Sequence, residues 1–301
     1  MFDFRLKVFH TAAKQLSFSR AAEELFISQP AVSRHVHALE SYFKVKLFVR
    51  QGSKISLTPD GKVLFYHAEE IFALYRKLQF EMNKRVQQNR GHLRMGASTT
   101  IAQYVLPNML AGFHKQYSDI QITLMNGNTQ QIEMALLQKE IELGIIEGYA
   151  KKPELKYIPF MKDEIVLVTK RNHPQAGVGE IDLEELKKIP LAVREFGSGT
   201  LQVIQHYLKS QHLSLSDLNI EMQLGSTEGI KTYLKNTNCF AFLSLNSVLE
   251  ELHRNELTII EIPGPAISRF FHFITPHGNE EPMAEMFMAF VVRNIPLKGN
   301  K

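Results

Sequence analysis

The sequence predicts an α/β protein in two parts, a small helical domain with a basic hairpin and a larger domain of alternating strands and helices. Three observations support this fold class. A chain of 301 residues with 44% hydrophobic content can fill at least two cores. Helical spacing of apolar residues dominates as far as residue 86. From residue 91 onward, short apolar strands alternate with helices, which favours a mostly parallel sheet.

The balance of charged residues also changes near residue 90. Residues 1–90 hold 15 Lys and Arg against 8 Asp and Glu, a balance of +7, whereas the remaining residues hold 20 against 23, a balance of −3. This asymmetry indicates that the first third meets a polyanion and that the rest does not. Ordinary scatter in surface charge is the alternative on this feature alone.

Three short helices are expected at the start of the chain. The first is marked by apolar residues at helical spacing, Leu6, Phe9 and Ala13. A second helix, 20–26, follows the hydroxyls of Ser17 and Ser19, and a third, 29–42, follows Ser28. Such hydroxyls accept hydrogen bonds from the unpaired N–H groups of a first helical turn. Only a short turn separates the second and third helices, so they predict a helix-turn-helix.

The third helix combines an inward apolar stripe with an outward polar face. The stripe consists of Val32, Val36 and Leu39, and the opposite side carries Gln29, Ser33, Arg34 and His37. In the major groove of DNA, Gln pairs with adenine and Arg with guanine through two hydrogen bonds each, and Ser meets a base edge or a phosphate. A helical hairpin with a solvated polar face is the alternative interpretation.

A basic hairpin follows and favours the DNA-binding interpretation. Basic and apolar residues interleave between positions 44 and 57, with a bend at 52–53. We interpret this segment as a wing whose tip carries Arg50 and Lys54 over phosphates or in the adjacent minor groove. Residues 1–58 are therefore predicted to form a winged helix-turn-helix.

A long helix is predicted over 59–89, with Thr58 as its cap and Pro59 in its first turn. Apolar or small residues step along it by 4, 3, 4, 3 and 4 positions: Leu64, Ala68, Ile71, Tyr75, Leu78 and Met82. That spacing is typical of a coiled-coil seam, so this linker helix is expected to dimerise the chain. Packing of part of the stripe on the winged domain is the alternative.

These residues resemble the winged helix-turn-helix of LysR-type transcriptional regulators, and the resemblance continues over the full chain. The matching positions are the Ala21-Ala22 pair before Glu23, Ser28-Gln29-Pro30-Ala31, Ser33-Arg34, Ala38-Leu39-Glu40, Leu47-Phe48-x-Arg50 and Leu57-Thr58-Pro59-x-Gly61. The resemblance implies a homodimer or homotetramer that binds double-stranded operator DNA. By position, the family's DNA contacts fall on Gln29, Pro30, Ser33 and Arg34, with Arg50 in the wing.

The resemblance also implies an effector-binding domain with two lobes, shaped like a periplasmic solute-binding protein. The expected boundaries are 90–301 for the domain, 90–161 and 269–301 for the first lobe, and 162–268 for the second. The chain is expected to cross between lobes near 162–163 and to return near 268–269. A strand over 270–274 then completes the first sheet, and 286–294 forms the last helix. Two crossings make a hinge between the lobes. An effector can change the closure of this hinge only if it binds one arrangement of the lobes more tightly than the other.

Hydroxyl-rich loops after four predicted strands are the candidates for effector contact. Their residues are Ser98, Thr99, Thr100, Asn128, Thr129, Ser198, Thr200, Ser226 and Thr227. Backbone N–H groups at helix starts, joined to side-chain donors, suit a carboxylate or another oxyanion. For any single loop, helix capping is the alternative, but four such loops favour a shared anion cleft. The resemblance implies effector contact at Ser98, Thr100, Thr129, Ser198, Thr200 and Thr227.

Arg194 is the best charged candidate for an effector contact, because it directly precedes the glycine-rich loop at 197–200. A salt bridge to Glu195 or to Glu147 is an equally good interpretation of this arginine. Glu147, at the end of its own strand, is included among the candidate effector residues.

Other classes of protein are less well supported. For an enzyme, Cys239 lies in an apolar segment where a thiol is inert packing, and no HExxH, GxSxG or phosphate-loop motif occurs. We therefore expect no catalysis, no cofactor and no metal. A free solute-binding protein needs no basic winged domain, and a regulator that no longer responds to a ligand is the third alternative.

The expected function is sequence-specific DNA-binding transcription regulation in response to a small anionic metabolite held between the lobes. A cytoplasmic location is expected, because the N-terminus has no apolar segment of signal-peptide length. In addition, no stretch approaches the roughly 18 apolar residues that span a bilayer.

Overall fold

A computed structural model describes residues 3–51, 54–85, 91–148, 152–177, 179–277 and 281–294. The chain divides into two compact units, Met1–Val86 and Gln87–Lys301. In the described part of the first unit, helices and one hairpin follow in this order: α1 (Phe4–Gln15), α2 (Phe18–Leu25), α3 (Gln29–Phe43), β1 (Phe48–Gln51), β2 (Lys54–Leu57) and α4 (Pro59–Arg85).

The first three helices begin where side-chain oxygens cap them. Ser17 accepts a hydrogen bond from the backbone N–H of Arg20, and Ser28 accepts one from Ala31, as predicted. Ala21 and Ala22 are buried in the core between these helices. Because alanine is small, α2 lies close to its neighbours, and the polar face of α3 is left outward.

Glu40 ties the hairpin to α3. Its carboxylate is buried and accepts hydrogen bonds from the backbone N–H of Leu47 at 2.9 Å and from the ammonium of Lys46 at 3.0 Å. Burial raises the pKa of Glu40, but these donors and His37 outweigh it, so the pKa is lowered. The start of the wing is thereby held against the third helix.

The linker helix α4 has both a packed and an exposed part. Leu64 and Phe65 pack on the core of the first unit, and Ala68 is fully buried. Further along the predicted seam, large apolar side chains are exposed: Ile71, Leu78 and Met82. Packing on the winged domain, the alternative interpretation, therefore applies to the first three to four turns of α4, as far as the contact of Phe72 with His10. Dimerisation by the rest of the helix stays a prediction.

The second unit alternates strands and helices. Its first half contains β3 (Gly91–Ser98), a π-helical turn (Ile101–Val105), α5 (Leu106–Gln116), β4 (Ile120–Gly127), α6 (Thr129–Leu137), β5 (Leu143–Glu147) and β6 (Leu155–Lys170). Its second half contains α7 (Leu183–Leu186), β7 (Leu191–Arg194), α8 (Gly199–Ser210), β8 (Ile220–Leu224), α9 (Thr227–Asn236), β9 (Ala241–Ser244), α10 (Leu245–His253), β10 (Leu257–Ile260), β11 (Ile267–Pro276) and α11 (Pro282–Asn294).

One sheet runs through the whole unit in the order β10-β6-β11-β5-β3-β4, with β9 also paired to β6. β3 is parallel to β4 and β5, whereas β11 is antiparallel to both β5 and β6. β7 and β8 form a separate parallel pair. We call β3 to β5 with α5, α6 and α11 the first lobe, and β7 to β10 with α7 to α10 the second lobe.

The long strands β6 and β11 belong to both lobes and pair along their length. Asp163 on β6 lies opposite Arg269 on β11, and Glu164 lies opposite Ser268. The two predicted crossing points are therefore neighbours in the sheet. Residues 270–274 lie on β11, and Phe271 to Ile274 pair with β5, so this part of the strand extends the first lobe's sheet.

Some helix boundaries differ from the sequence prediction. α2 begins at Phe18, two residues before the predicted start at 20. The chain after β3 is π-helical from Ile101 and becomes α-helical only at Leu106, next to Pro107. The last helix begins at Pro282, four residues before the predicted start at 286. Proline suits a first helical turn, where its missing N–H group would have no intrahelical partner.

Candidate functional sites

The polar face of α3 is turned to solvent. Gln29, Pro30, Arg34 and His37 are exposed, whereas Ser33 is half-buried. Gln29 donates a hydrogen bond to the hydroxyl of Ser33 at 3.3 Å. His37 lies 3.0 Å from the Glu40 carboxylate through its Nδ1 atom. The helix therefore presents an amide, a guanidinium and an imidazole on one surface, the side-chain types that read base edges.

The wing, formed by β1 and β2, is the second part of the predicted DNA-binding surface. β1 and β2 are antiparallel, with Arg50 opposite Ile55 and Gln51 opposite Lys54. The side chains of Arg50 and Lys54 lie outside the described residues, so their predicted contact with DNA stays a prediction.

In the second unit, the hydroxyl-rich loops lie at the carboxyl ends of parallel strands. Ser98 ends β3, Asn128 follows β4, and Glu147 ends β5. In the second lobe, Ser198 follows β7 and Ser226 follows β8. Ligands of open α/β sheets bind beyond these strand ends.

Glu147, itself a predicted effector residue, and Arg269 connect three of the other predicted effector residues. The hydroxyl of Ser98 donates to the Glu147 carboxylate, and the hydroxyl of Thr129 donates to the Glu147 carbonyl oxygen at 2.8 Å. Arg269 donates to the hydroxyl of Thr200 at 2.9 Å, and its Nη1 lies 3.7 Å from the Glu147 carboxylate. All of these side chains are buried.

Arg269 is itself neutralised by Asp163. Its Nε donates to one Asp163 oxygen at 2.8 Å, and the other oxygen accepts from Ser244 and Asn246 at 2.7 Å each. The Nη2 atom of Arg269 is buried and has no hydrogen-bond partner among the described residues. One guanidinium thus faces two carboxylates where both lobes meet the crossing strands.

Gly199 allows the two lobes to touch at this point. A Cβ atom at this position would lie 2.1 Å from the carbonyl oxygen of Glu147 and 2.6 Å from the hydroxyl of Thr129. Only a glycine permits such a close approach of the start of α8 to the end of β5.

Arg194 forms a second charged cluster that contains one of the salt bridges expected from the sequence, and its contact with an effector stays a prediction. Its guanidinium donates to Glu195 at 2.8 and 3.1 Å and to the hydroxyl of Thr227 at 3.0 Å. The salt bridge is therefore made to Glu195, while Glu147 is paired with Ser98 and Arg269.

A third cluster joins the lobes through Tyr104 on the π-helical turn. The Tyr104 hydroxyl donates to Glu228, and the ammonium of Lys231 lies 4.8 Å from the centre of the tyrosine ring. Lys231 is buried and pairs with Glu228 at 2.8 Å and Glu251 at 2.9 Å. Burial, followed by Glu228, raises the pKa of Tyr104, so the phenol stays protonated.

Capping explains some of the predicted effector residues but not all. Asn128 and Ser226 accept hydrogen bonds from the first turns of α6 and α9, as caps do. Thr100 and Ser198 occupy cap positions without such a bond, and both are buried. These two hydroxyls are therefore the better candidates for ligand contact. Thr99, by contrast, donates to the carbonyl oxygen of Gly127 at 3.2 Å.

Comparison with models of protein families shows which family the chain belongs to. Residues 4–62 match the family model for the bacterial regulatory helix-turn-helix protein, lysR family. Residues 86–296 match the model for the LysR substrate binding domain. The chain belongs to the LysR family. It is a DNA-binding transcription regulator with an effector-binding domain, and the predicted fold class is confirmed.

Relatives of this LysR-family regulator match over almost its whole length. The HTH-type transcriptional regulator CysL of Bacillus subtilis is 31% identical over 290 residues, which are 96% of each chain. Full-length OxyR from Pseudomonas aeruginosa has a TM-score of 0.73 at 20% identity and covers 98% of this chain and 96% of its own, which shows a common fold. The Synechocystis PCC6803 CcmR regulatory domain in complex with 2-PG has a TM-score of 0.62 at 27% identity, covering 68% of this chain and 97% of its own.

Sequence reasoning missed three residues of the LysR effector domain. Arg269 was considered only as a point of return between lobes, and Tyr104 and Lys231 were not singled out. Arg269 had a usable signal, since it is a single cation in an otherwise apolar strand segment. A charge in such a segment is expected to be paired. Tyr104 and Lys231 had none, because each lies on an ordinary amphipathic helix pattern.

Three further features concern membrane spans, metal sites and the single cysteine. No helix in the described part of this LysR regulator combines the length and hydropathy needed to cross a membrane. Within the same residues, no group of three or more His, Cys, Asp or Glu side chains is placed to hold a metal ion. The thiol of Cys239 is buried, and burial raises its pKa, which disfavours the nucleophilic thiolate.

Proposed function

We propose that this regulator binds operator DNA through the outward face of α3 and the wing, and responds to a small anionic effector between its lobes. The DNA contacts are Gln29, Pro30, Ser33, Arg34, His37, Arg50 and Lys54. The division of the chain is 1–58 for DNA binding, 59–89 for dimerisation and 90–301 for effector binding, with lobes at 90–161 plus 269–301 and at 162–268. The regulator acts in the cytoplasm and catalyses no reaction.

The exposed polar face of α3 carries the proposal for DNA. Arg34 is exposed on the second turn of α3, in the N-terminal half of the helix. Arg in this part of a recognition helix pairs with guanine through two hydrogen bonds, and each such pair contributes about 1–3 kcal/mol of discrimination.

Two kinds of observation support an anionic effector. The buried hydroxyls of Thr100 and Ser198 make no capping bonds, and α6 and α8 begin just beyond the carboxyl ends of β4 and β7. First-turn N–H groups and hydroxyls together suit an oxyanion. The related CcmR regulatory domain is in complex with 2-PG, a small anionic metabolite. The effector set is Ser98, Thr99, Thr100, Asn128, Thr129, Glu147, Arg194, Ser198, Thr200, Ser226 and Thr227.

The exposed apolar residues of α4 support a homodimer or homotetramer. Ile71, Leu78 and Met82 repeat at the spacing of a coiled-coil seam, and each leaves about half of its surface exposed. Burying such side chains against a second copy of α4 removes apolar area from water. Sedimentation of Leu78→Asp should show a weaker dimer than the unchanged chain.

The DNA assignment is tested with the full chain on genomic fragments over a range of salt concentrations. Arg34→Ala is expected to lower affinity for the selected fragment by about 10- to 100-fold, with little effect on binding to unrelated DNA. Arg293→Ala, an exposed arginine on α11, is the matched control and should bind as the unchanged chain does. Equal operator affinity of the Arg34 variant would refute the assignment.

The effector assignment is tested separately by calorimetry against 2-PG, phosphate, sulfate and short carboxylates. Binding of one of these anions is expected to weaken in Ser198→Ala and Thr100→Val. Flat titrations with folded protein across the panel would indicate a regulator that does not respond to a small anion.

A further inference from the structure

The guanidinium of Arg194 is held by the next residue in the chain. Two of its N–H groups donate to the two carboxylate oxygens of Glu195, at 2.8 and 3.1 Å, and a third donates to Thr227. Arg194 is 2% exposed. The pair of N–H donors that could bind an anionic ligand is therefore occupied by a carboxylate of the protein itself.

The two partners of this ion pair are anchored very differently. Arg194 ends β7, its carbonyl oxygen accepts from Gln223 at 3.3 Å, and its side chain is bonded to Thr227 at the start of α9. The Glu195 side chain is 25% exposed and lies in the turn before Gly197, whose φ is +87°. Glu195 can therefore leave through a turn that contains glycine, whereas the guanidinium stays where it is.

Charge favours exchange over simple addition at this site. Arg194, Lys231 and Arg269 are the buried cations around the cleft, and carboxylates already pair with each of them. An anion that entered without displacing a carboxylate would be repelled, and a guanidinium that lost its partner would be left as an unpaired buried charge. Replacing Glu195 by another oxyanion keeps the guanidinium paired throughout.

We propose that Glu195 is an internal substitute for the effector's anionic group and that the effector binds by taking its place on Arg194. The group that fits is an oxyanion with two oxygens for the two N–H donors, which means a carboxylate or a phosphate. This inference rests on the proposed function, because it concerns the effector site of that function. Glu195 therefore sets the affinity threshold: only an anion that outcompetes a tethered carboxylate binds.

The loop that carries Glu195 also contacts the first lobe. Replacement of Glu195 by the effector is therefore linked to the arrangement of the two lobes. The carbonyl oxygen of Gly197 accepts a hydrogen bond from the backbone N–H of Gln130 at 3.2 Å. A Cβ atom at Gly197 would lie 2.8 Å from the side-chain oxygen of Gln130. Movement of Glu195 thus changes a contact between the second lobe and the start of α6.

The test uses full-length protein and inorganic phosphate, titrated against chloride at constant ionic strength while thermal unfolding is followed. An anion that binds the native state raises the unfolding temperature with concentration. In Glu195→Gln the carboxylate becomes a neutral amide of nearly the same shape. Its apparent phosphate affinity is expected to exceed that of the unchanged chain about tenfold, since a hydrogen bond to a charged group is worth about 1.5–3 kcal/mol. Glu195→Asp, one methylene shorter, is expected to show a smaller gain.

Glu142→Gln is the matched control. Glu142 accepts from Nε and Nη2 of Arg94, at 3.2 and 3.0 Å, before the start of β5, away from the strand ends that carry the cleft. This variant changes the charge by the same amount and should leave phosphate affinity unchanged. Adding Arg194→Gln to Glu195→Gln should remove the gain.

Three results would overturn the inference: no gain in Glu195→Gln and Glu195→Asp, an equal gain in Glu142→Gln, or a gain that survives the loss of Arg194. Each of these leaves selective DNA binding untouched, so the failure is distinct from failure of the proposed regulator. A gain in Glu195→Gln with no binding by the unchanged chain still supports the inference, because the tethered carboxylate then excludes this probe.

Discussion

The two polar surfaces of this protein are built in opposite ways. On α3 the side chains that suit DNA are mostly exposed to solvent, and their bonds on this face are those of Gln29 with Ser33 and of His37 with Glu40. Around the cleft, by contrast, Glu147, Arg194 and Arg269 are 1 or 2% exposed and bond to other protein groups. The exposed face can bind a polyanion without rearrangement. In the cleft, by contrast, the polar groups are already bonded to one another, so a ligand binds only if it replaces some of these bonds.

Because of this contrast, substitutions on the two surfaces should differ in how much they change the stability of the fold. Removing a side chain from an exposed helix face costs little folding energy. Removing one partner from a buried ion pair leaves an uncompensated charge and destabilises the fold strongly. Substitutions at the buried cleft should therefore cost much more folding free energy than substitutions on the exposed face of α3.

Asp163→Asn should produce the largest loss of stability. The substitution removes the negative charge that pairs with the buried Arg269 at 2.8 Å. We expect the free energy of unfolding of the second unit to fall by about 3–5 kcal/mol, measured by chemical denaturation. The exposed pair of Arg254 and Glu250 is the control, since Glu250→Gln should cost less than about 1 kcal/mol. Equal losses in the two variants would mean that burial does not distinguish the pairs.

Gly199→Ala should have the next largest effect. The added methyl group would meet the carbonyl oxygen of Glu147 at 2.1 Å, so α8 must move away from β5. We expect a loss of about 1–3 kcal/mol in thermal unfolding and weaker anion binding. Gly229→Ala on α9 is the control, because its Cβ would find no atom closer than 3.5 Å. That variant should be neutral or slightly more stable, since alanine favours helix.

Gln29→Ala should change stability by no more than about 0.5 kcal/mol, because the residue is exposed and its bond to Ser33 lies on the helix surface. Its effect should appear in DNA recognition instead. Affinity should fall for operators that carry adenine at one position and stay the same when that base pair is changed. Loss of stability without loss of base preference would show that this face is structural.

The smallest effect should be a dependence of stability on pH at Glu40. The pKa of this carboxyl is lowered in the folded chain, so its contribution is present above the unfolded pKa and is lost as pH falls through the folded one. The unfolding temperature should therefore decline less on acidification in Glu40→Gln than in the unchanged chain. Parallel pH profiles of the two proteins would contradict the role of Glu40 in holding the wing.

Local sequence signals were sufficient for the DNA-binding part. Ser17 and Ser28 cap the helices that they were expected to cap, and Val32, Val36 and Leu39 form the buried stripe of α3. These features depend on neighbours within four residues, so they can be read directly from the sequence.

The candidate cleft was predicted only in outline. The sequence placed Ser98, Thr129 and Thr200 in loops that open helices after strands. The structure has Thr129 and Thr200 in the first turns of α6 and α8, whereas Ser98 is the last residue of β3. Which side chain bonds to which could not be predicted, because Ser98 and Glu147 are 49 residues apart, and Arg269 and Asp163 are 106 apart. Such pairings depend on how the sheet brings distant strands together.

The two-part organisation, the winged helix-turn-helix and the family could be predicted from the amino-acid sequence, because they follow from short-range periodicity, capping and motifs. The pairing of Arg194 with Glu195, the burial of Arg269 between two carboxylates and the contact of Tyr104 with Lys231 across the lobes are established by the folded chain. A buried charge must find a partner in space, and the distance along the sequence does not indicate which partner is near.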